Sequence, residues 1–152
     1  MQYWLYKSEP NDYSYSDLVR DGRTHWDGVR NYQARNFLRE AHVGDRVLFY
    51  HSNTKVIGVY GVAEVVAAAY PDPSQFDPQS KYYDAKASSD NPRWSVVDIV
   101  PVQAFAQPVT LAAIKADPTF ADFQLVQKGN RLSVMPATEA HYRRILELSE
   151  GS

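Results

Sequence analysis

The chain has 152 residues, a formal net charge of −2, 44% hydrophobic and 22% charged residues. That length suits one domain around one hydrophobic core, and the composition excludes a disordered polar chain. Cysteine is absent, which removes disulfides, thiolate catalysis and cysteine-ligated zinc or iron–sulfur centres. The longest uncharged apolar run, Val65 to Tyr70, is far too short to span a bilayer. No basic n-region followed by an apolar h-region opens the chain. These features predict a cytosolic or nuclear location, taken as cytoplasmic, without membrane contact; a monomer is expected.

Residues Gln2 to Lys7 carry rings at Tyr3, Trp4 and Tyr6 on both faces, as a central strand covered on both sides would. Glu9-Pro10-Asn11-Asp12 ends it. Ser14 and Asp17 form a capping-box pair that opens a short helix to about Arg20, and Asp21-Gly22 stops it. After a loop through His25-Trp26-Asp27-Gly28, a helix over about Asn31–Ala41 places Ala34, Phe37, Leu38 and Ala41 on one face. Asn31, Arg35 and Arg39 then form a polar, basic stripe on another. A strand follows at Arg46–His51, and a longer one at Val56–Val66, where Gly58 and Gly61 signal a bulge or close backbone approach.

Residues 70–92 are rich in Pro, Asp, Ser and Gln and read as a long ordered loop pinned by Phe76, Tyr82 and Tyr83. A strand is predicted over Trp94–Val102, a short helix capped by Thr110 over Leu111–Ala116, and a short strand over Arg131–Val134 ended by Pro136. Thr138 caps a last helix with Tyr142, Ile145 and Leu146 as its apolar stripe. Five or six strands with helices between them, and no regular βαβ series, predict an α+β fold with a curved, barrel-like sheet. There are no internal repeats.

Charge is unevenly spread. Arg20–Lys55 holds seven Lys or Arg against four Asp or Glu, and Lys128–Arg144 holds four against one. A fold could gather these into a basic face for a short phosphate-containing ligand, or leave them as solvated surface. The four histidines, His25, His42, His51 and His141, show no metal-ligand spacing, and no phosphate-binding glycine motif or nucleophile elbow occurs. Neither a metal nor a cofactor is expected. What remains is a set of rings, small polar groups and cations: Lys7-Ser8, Trp26-Asp27, Arg30-Asn31, Arg35, Tyr50-His51-Ser52, Trp94 and Arg131. They suit a flat heterocycle stacked on Trp, read at its edge and held by its phosphate. The same residues equally suit core rings and solvated arginines.

The segments YWLYKSEP (3–10), WDGVRNYQARN (26–36), LFYHS (48–52), YPD (70–72), PRW (92–94) and RLSV (131–134) resemble the EVE domain family of the PUA-like superfamily. The resemblance runs in order from residue 3 to about residue 146, and implies a single domain over 1–152. It implies a PUA-like mixed-sheet pseudo-barrel with peripheral helices, and a pocket for a modified base. The related YTH domains hold a methylated adenine in an aromatic cage. Carried over by position, Trp26 would be a stacking wall, with Ser8, Asp27 and Asn31 on the base edge. His51 and Ser52 would line the floor, and Trp94 the pocket or the core. Lys7, Arg30, Arg35 and Arg131 would meet phosphate. Asn130 stands where the family often has Ser.

The implied function is non-catalytic recognition of modified DNA or RNA, or of a nucleotide. The alternatives are an enzyme on a nucleotide or nucleobase with His51 or Asp27 as general acid/base, and a small-molecule or interaction module using the 70–92 loop.

Overall fold

The structure, a computed structural model, describes residues 1–150. Its elements in chain order are β1 (Tyr3–Ser8), α1 (Tyr15–Asp21), β2 (Thr24–His25), α2 (Tyr32–Glu40), β3 (Arg46–His51), β4 (Gly58–Pro71), β5 (Ser95–Thr110), α3 (Leu111–Ala116), β6 (Val134–Ala137) and α4 (Glu139–Ser149). The strands form one sheet in the order β2-β5-β4-β3-β1-β6. β1 and β3 pair in parallel, with Tyr3 opposite Arg46 and Ser8 opposite His51, and the other ladders are antiparallel. This is a single-domain α+β fold with a mixed sheet, consistent with the PUA-like class.

β1 lies inside the sheet, and Trp4, Leu5 and Tyr6 are all at most 2% exposed. Rings on both faces are therefore buried, as their alternation demands. Trp4 donates its indole N–H to Asp45 at 3.0 Å, and Asp45 also accepts from the Gln2 and His42 amides. A buried carboxylate is tolerated because three donors replace its water. α2 turns Ala34 and Leu38 into the core, as its periodicity predicts.

The caps form as their side-chain chemistry dictates. Ser14 and Asp17 make the reciprocal capping box of α1, whose end passes through Gly22 at φ +75°. Thr110 caps α3 and Thr138 caps α4.

Three strands differ from the sequence prediction by more than two residues at a boundary, and one short strand is added to it. β4 continues past Val66 because Ala67, Tyr70 and Pro71 pair with Asp98, Val96 and Ser95 of β5, overriding the weak strand propensity of an alanine run. β5 extends likewise to Thr110. β6 begins at Val134 and runs through Pro136, since it is the sheet's edge, where a missing N–H costs no ladder bond. The two-residue β2 is too short to give a period.

Gly61 borders the sharpest register shift of β4, between Val59 and Gly61, and Gly58 is a close backbone approach to β5. Tyr15 lies where a Cβ on Gly61 would project and donates its hydroxyl hydrogen to the Val62 carbonyl at 2.7 Å. A Cβ on Gly58 would overlap the Val109 carbonyl oxygen and crowd the Thr110 Cα, both backbone atoms that cannot swing aside. Gly58→Ala should therefore cost about 1–3 kcal/mol of stability by overpacking. The urea midpoint measures it, and an unchanged midpoint would refute the steric account.

Candidate nucleic-acid interface

Because β1 and β3 are parallel and β6 is antiparallel to β1, the ends of β1 and β3 and the start of β6 share one end of the sheet. There the 9–13 turn, residues 24–29 and the 81–82 segment of the long loop enclose a cleft of about 610 Å³. Its rings are Tyr13, Trp26 and Tyr82. Its cations are Lys7, Lys81 and Arg131, and its carboxylates are Glu9, Asp12 and Asp27, with Ser8 and Ser52 among its small polar groups.

Trp26 is fixed from below. Its ring packs on Tyr6 at 5.5 Å and edge-on to Phe49 at 5.2 Å, its amide donates to the Val97 carbonyl at 2.8 Å, and it is 7% exposed. Ser8 donates to the Tyr13 carbonyl at 2.7 Å, and its own carbonyl accepts from the Ser52 amide at 3.0 Å, joining the β1 and β3 ends to the 9–13 turn. The Asp27 carboxylate stands 3.9 Å from His25 Nε2. Partial burial, and then the neighbouring Asp72, push the Asp27 carboxyl above the usual carboxylate value. Lys7 places its ammonium 5.7 Å from the Tyr50 ring centre, and burial pushes it below the ordinary lysine value. Lys81 pairs with Asp12 at 3.6 Å across the cleft mouth.

A buried frame holds these pieces. Asp72 is fully buried and accepts from the Gly28 amide at 2.9 Å, Arg30 Nη1 at 3.1 Å, and the amide and hydroxyl of Ser74 at 2.8 and 2.6 Å. Burial alone would raise its carboxyl, but bonds from Ser74, Gly28 and Arg30 outweigh that and hold it below the usual value. Arg30 spends its other donors on the Tyr82 carbonyl, Ser74 Oγ and the Val29 carbonyl. Gly28, at φ +78°, lets the Tyr82 ring occupy the space a side chain would need.

Of the eleven residues to which the resemblance gives a role, Lys7, Ser8, Trp26, Asp27, Ser52 and Arg131 line the cleft. The other five are placed elsewhere. Asn31 is the N-cap of α2, its side-chain oxygen accepting from the Ala34 amide. His51 is 6% exposed, accepts the Tyr15 amide hydrogen at Nε2 and stacks on Tyr60 at 3.8 Å, and burial pushes its pKa down. Trp94 is buried outside the cleft, where it stacks on Tyr32 at 4.8 Å and donates to Asp84 at 2.7 Å. Arg30 belongs to the frame. Arg35 lies over Tyr32 and donates to the Arg93 carbonyl and Asn36. Tyr13, Tyr82 and Lys81 were not singled out as ligands; only the ring content of the long loop signalled Tyr82.

Among the described residues, no helix is long and apolar enough to cross a membrane, and no group of three or more His, Cys, Asp or Glu is placed to hold a metal ion.

Replacing Asp72 with Asn should cost about 3 kcal/mol, because it leaves Arg30 inside the frame without its counter-charge. In the parent, this carboxylate's stabilisation is full above its unfolded value of about 3.9 and is lost as pH falls through its depressed folded value. Acid titration of stability in both proteins checks this, since the Asn variant should lack that part of the loss.

Comparison with known proteins gives a consistent picture. The EVE domain pattern matches residues 2–148. Human thymocyte nuclear protein 1 is 37% identical over 167 residues, covering 97% of this chain and 74% of that protein. The crystal structure of a Pseudomonas putida protein superposes with a TM-score of 0.95 at 50% identity, covering 97% of this chain and 99% of that one. Human THYN1, solved in complex with DNA containing 5-methylcytosine, superposes with a TM-score of 0.92 at 36% identity, covering 99% and 98% of the two chains. With the family pattern running from the first strand to the last helix over the fold described above, the chain belongs to the EVE domain family.

Proposed function

We propose that this protein is a non-catalytic reader of modified DNA that takes one extruded base, such as 5-methylcytosine, into the cleft. The observation that carries this is the human relative's complex with 5-methylcytosine DNA on the same fold, together with a Trp-floored cleft of suitable size here. About 610 Å³ lies within the range of pockets that bury a small ligand.

The roles follow from the chemistry of each group. Trp26, with Tyr13 and Tyr82 nearby, offers aromatic surface to the extruded ring, and one stacked base contributes about 1–3 kcal/mol. Asp27 is an acceptor suited to the exocyclic amine of cytosine. Ser8 and Ser52 add small polar groups beside it. Lys7, which has no ion pair among the described residues, meets the incoming phosphate, and Arg131 lies on the same rim. His51 takes no part, because its ring is spent on Tyr15 and Tyr60.

Fluorescence-anisotropy titration of matched duplexes with and without 5-methylcytosine tests the proposal. The parent should prefer the modified duplex. Trp26→Ala should weaken that duplex about tenfold or more and reduce the preference. Because Trp26 is also a packing residue, Lys7→Gln serves as the second variant: it should weaken both duplexes alike and flatten the salt dependence. Equal binding of the two duplexes by the parent would overturn the assignment.

A further inference from the structure

A second hollow of about 460 Å³ adjoins the cleft, and Arg131 and Leu132 line both. It lies between the start of α2, which supplies Asn31 and Gln33, and the 124–131 segment, which supplies Gln124, Gln127, Lys128 and Asn130. Its lining contains no carboxylate and no aromatic ring. Lys128 and Arg131 form no ion pair among the described residues, so both keep their charge for a ligand.

The segment is held in shape from within. Asn130 donates to the Gln124 carbonyl at 2.7 Å and accepts from the Leu132 amide at 3.1 Å. Gln127 donates to the Ala121 and Phe123 carbonyls at 2.9 and 3.1 Å. Gly129, at φ +80°, makes the turn that sets Lys128 and Arg131 on either side of it.

We infer that this groove binds the phosphodiester backbone of the DNA strand next to the extruded base. The inference rests on the modified-base proposal and adds a second site to it. Two cations with no carboxylate beside them match a polyanion, and the lack of a ring offers nothing for a second base to stack on. Continuity through Arg131 puts the strand's path on this side of the cleft. The comparable hollow at the opposite end of β1 carries Glu40 and Glu139 and no Lys or Arg, so it would repel a phosphate.

The experiment compares the parent with Lys128→Gln, Gln33→Glu and, as an equal charge change lining neither hollow, Lys115→Gln. Each is titrated with the modified and unmodified duplexes across a salt series. Loss of one phosphate contact should lower the slope of log affinity against log salt by about 0.9. Lys128→Gln should show that change with the modified-to-unmodified ratio intact, Gln33→Glu should weaken both duplexes by repulsion, and Lys115→Gln should match the parent. An unchanged slope in Lys128→Gln, or an equal change in Lys115→Gln, would overturn the groove while leaving the cleft standing. A parent that fails to distinguish the two duplexes would instead overturn the modified-base proposal.

Discussion

The candidate site depends on the buried ion pair between Asp72 and Arg30. A carboxylate fully removed from water must have its charge and lone pairs met by the protein. Here two donors, the Gly28 amide and the Arg30 guanidinium, come from the Trp26 loop, and two come from Ser74 beside it. The cost of burying Asp72 is offset only when residues 26–30 and 72–74 are in register, so the pair fixes one loop against another. Arg30 extends the constraint to the Tyr82 carbonyl, which sets the Tyr82 ring over Gly28 and Lys81 near Asp12. Gln75, also fully buried, continues the frame by accepting from the Arg93 and Trp94 amides and donating to the Trp94 carbonyl. The long loop is ordered by interior hydrogen bonds more than by its few apolar residues, and the cleft wall it supplies is rigid for that reason.

Much of the fold was legible because local chemistry decides it. Ser14 with Asp17, and Thr110 and Thr138, announce helix starts through side-chain oxygens that can reach orphan amides. Ala34 and Leu38 announce a buried helix face by spacing alone. The strand ends of β4 and β5 were not legible, since pairing across some thirty residues holds an alanine-rich segment extended. The site was legible in part, and for a definite reason. Lys7, Trp26 and Asp27 sit where a strand end and a loop meet at the cleft, Trp26 as a largely buried ring and the other two partly exposed. Arg30 and Asn31, in the same conspicuous motif, are of residue types that serve a ligand or a frame equally well. Their donors and acceptors find partners inside the protein, for Arg30 a carbonyl 52 positions away, and nothing in the local sequence records such a contact. His51 illustrates the same ambiguity, because the Tyr15 amide that occupies it comes from the start of α1.

The charge pattern of the two hollows divides the work of binding. The cleft lining carries three Lys or Arg and three Asp or Glu, and Lys81 is already paired with Asp12. So balanced a cavity offers a polyanion only Lys7 and Arg131 at its rim, and on the proposed reading the rest of its contribution comes from the ring it encloses. The neighbouring groove has the opposite character, with cations, amides and no carboxylate, and its attraction is indifferent to the base. If a chain of net charge −2 reads DNA as proposed, a local field of this kind has to hold it. On the proposed reading, most of that field lies beside the cleft, with Lys7 inside it and Arg131 shared by both hollows, so holding the strand is largely separated from choosing the base. On the same reading, the carboxylates of the cleft oppose adventitious anions, and Trp26 and Asp27 are the groups through which a base is told from its neighbours.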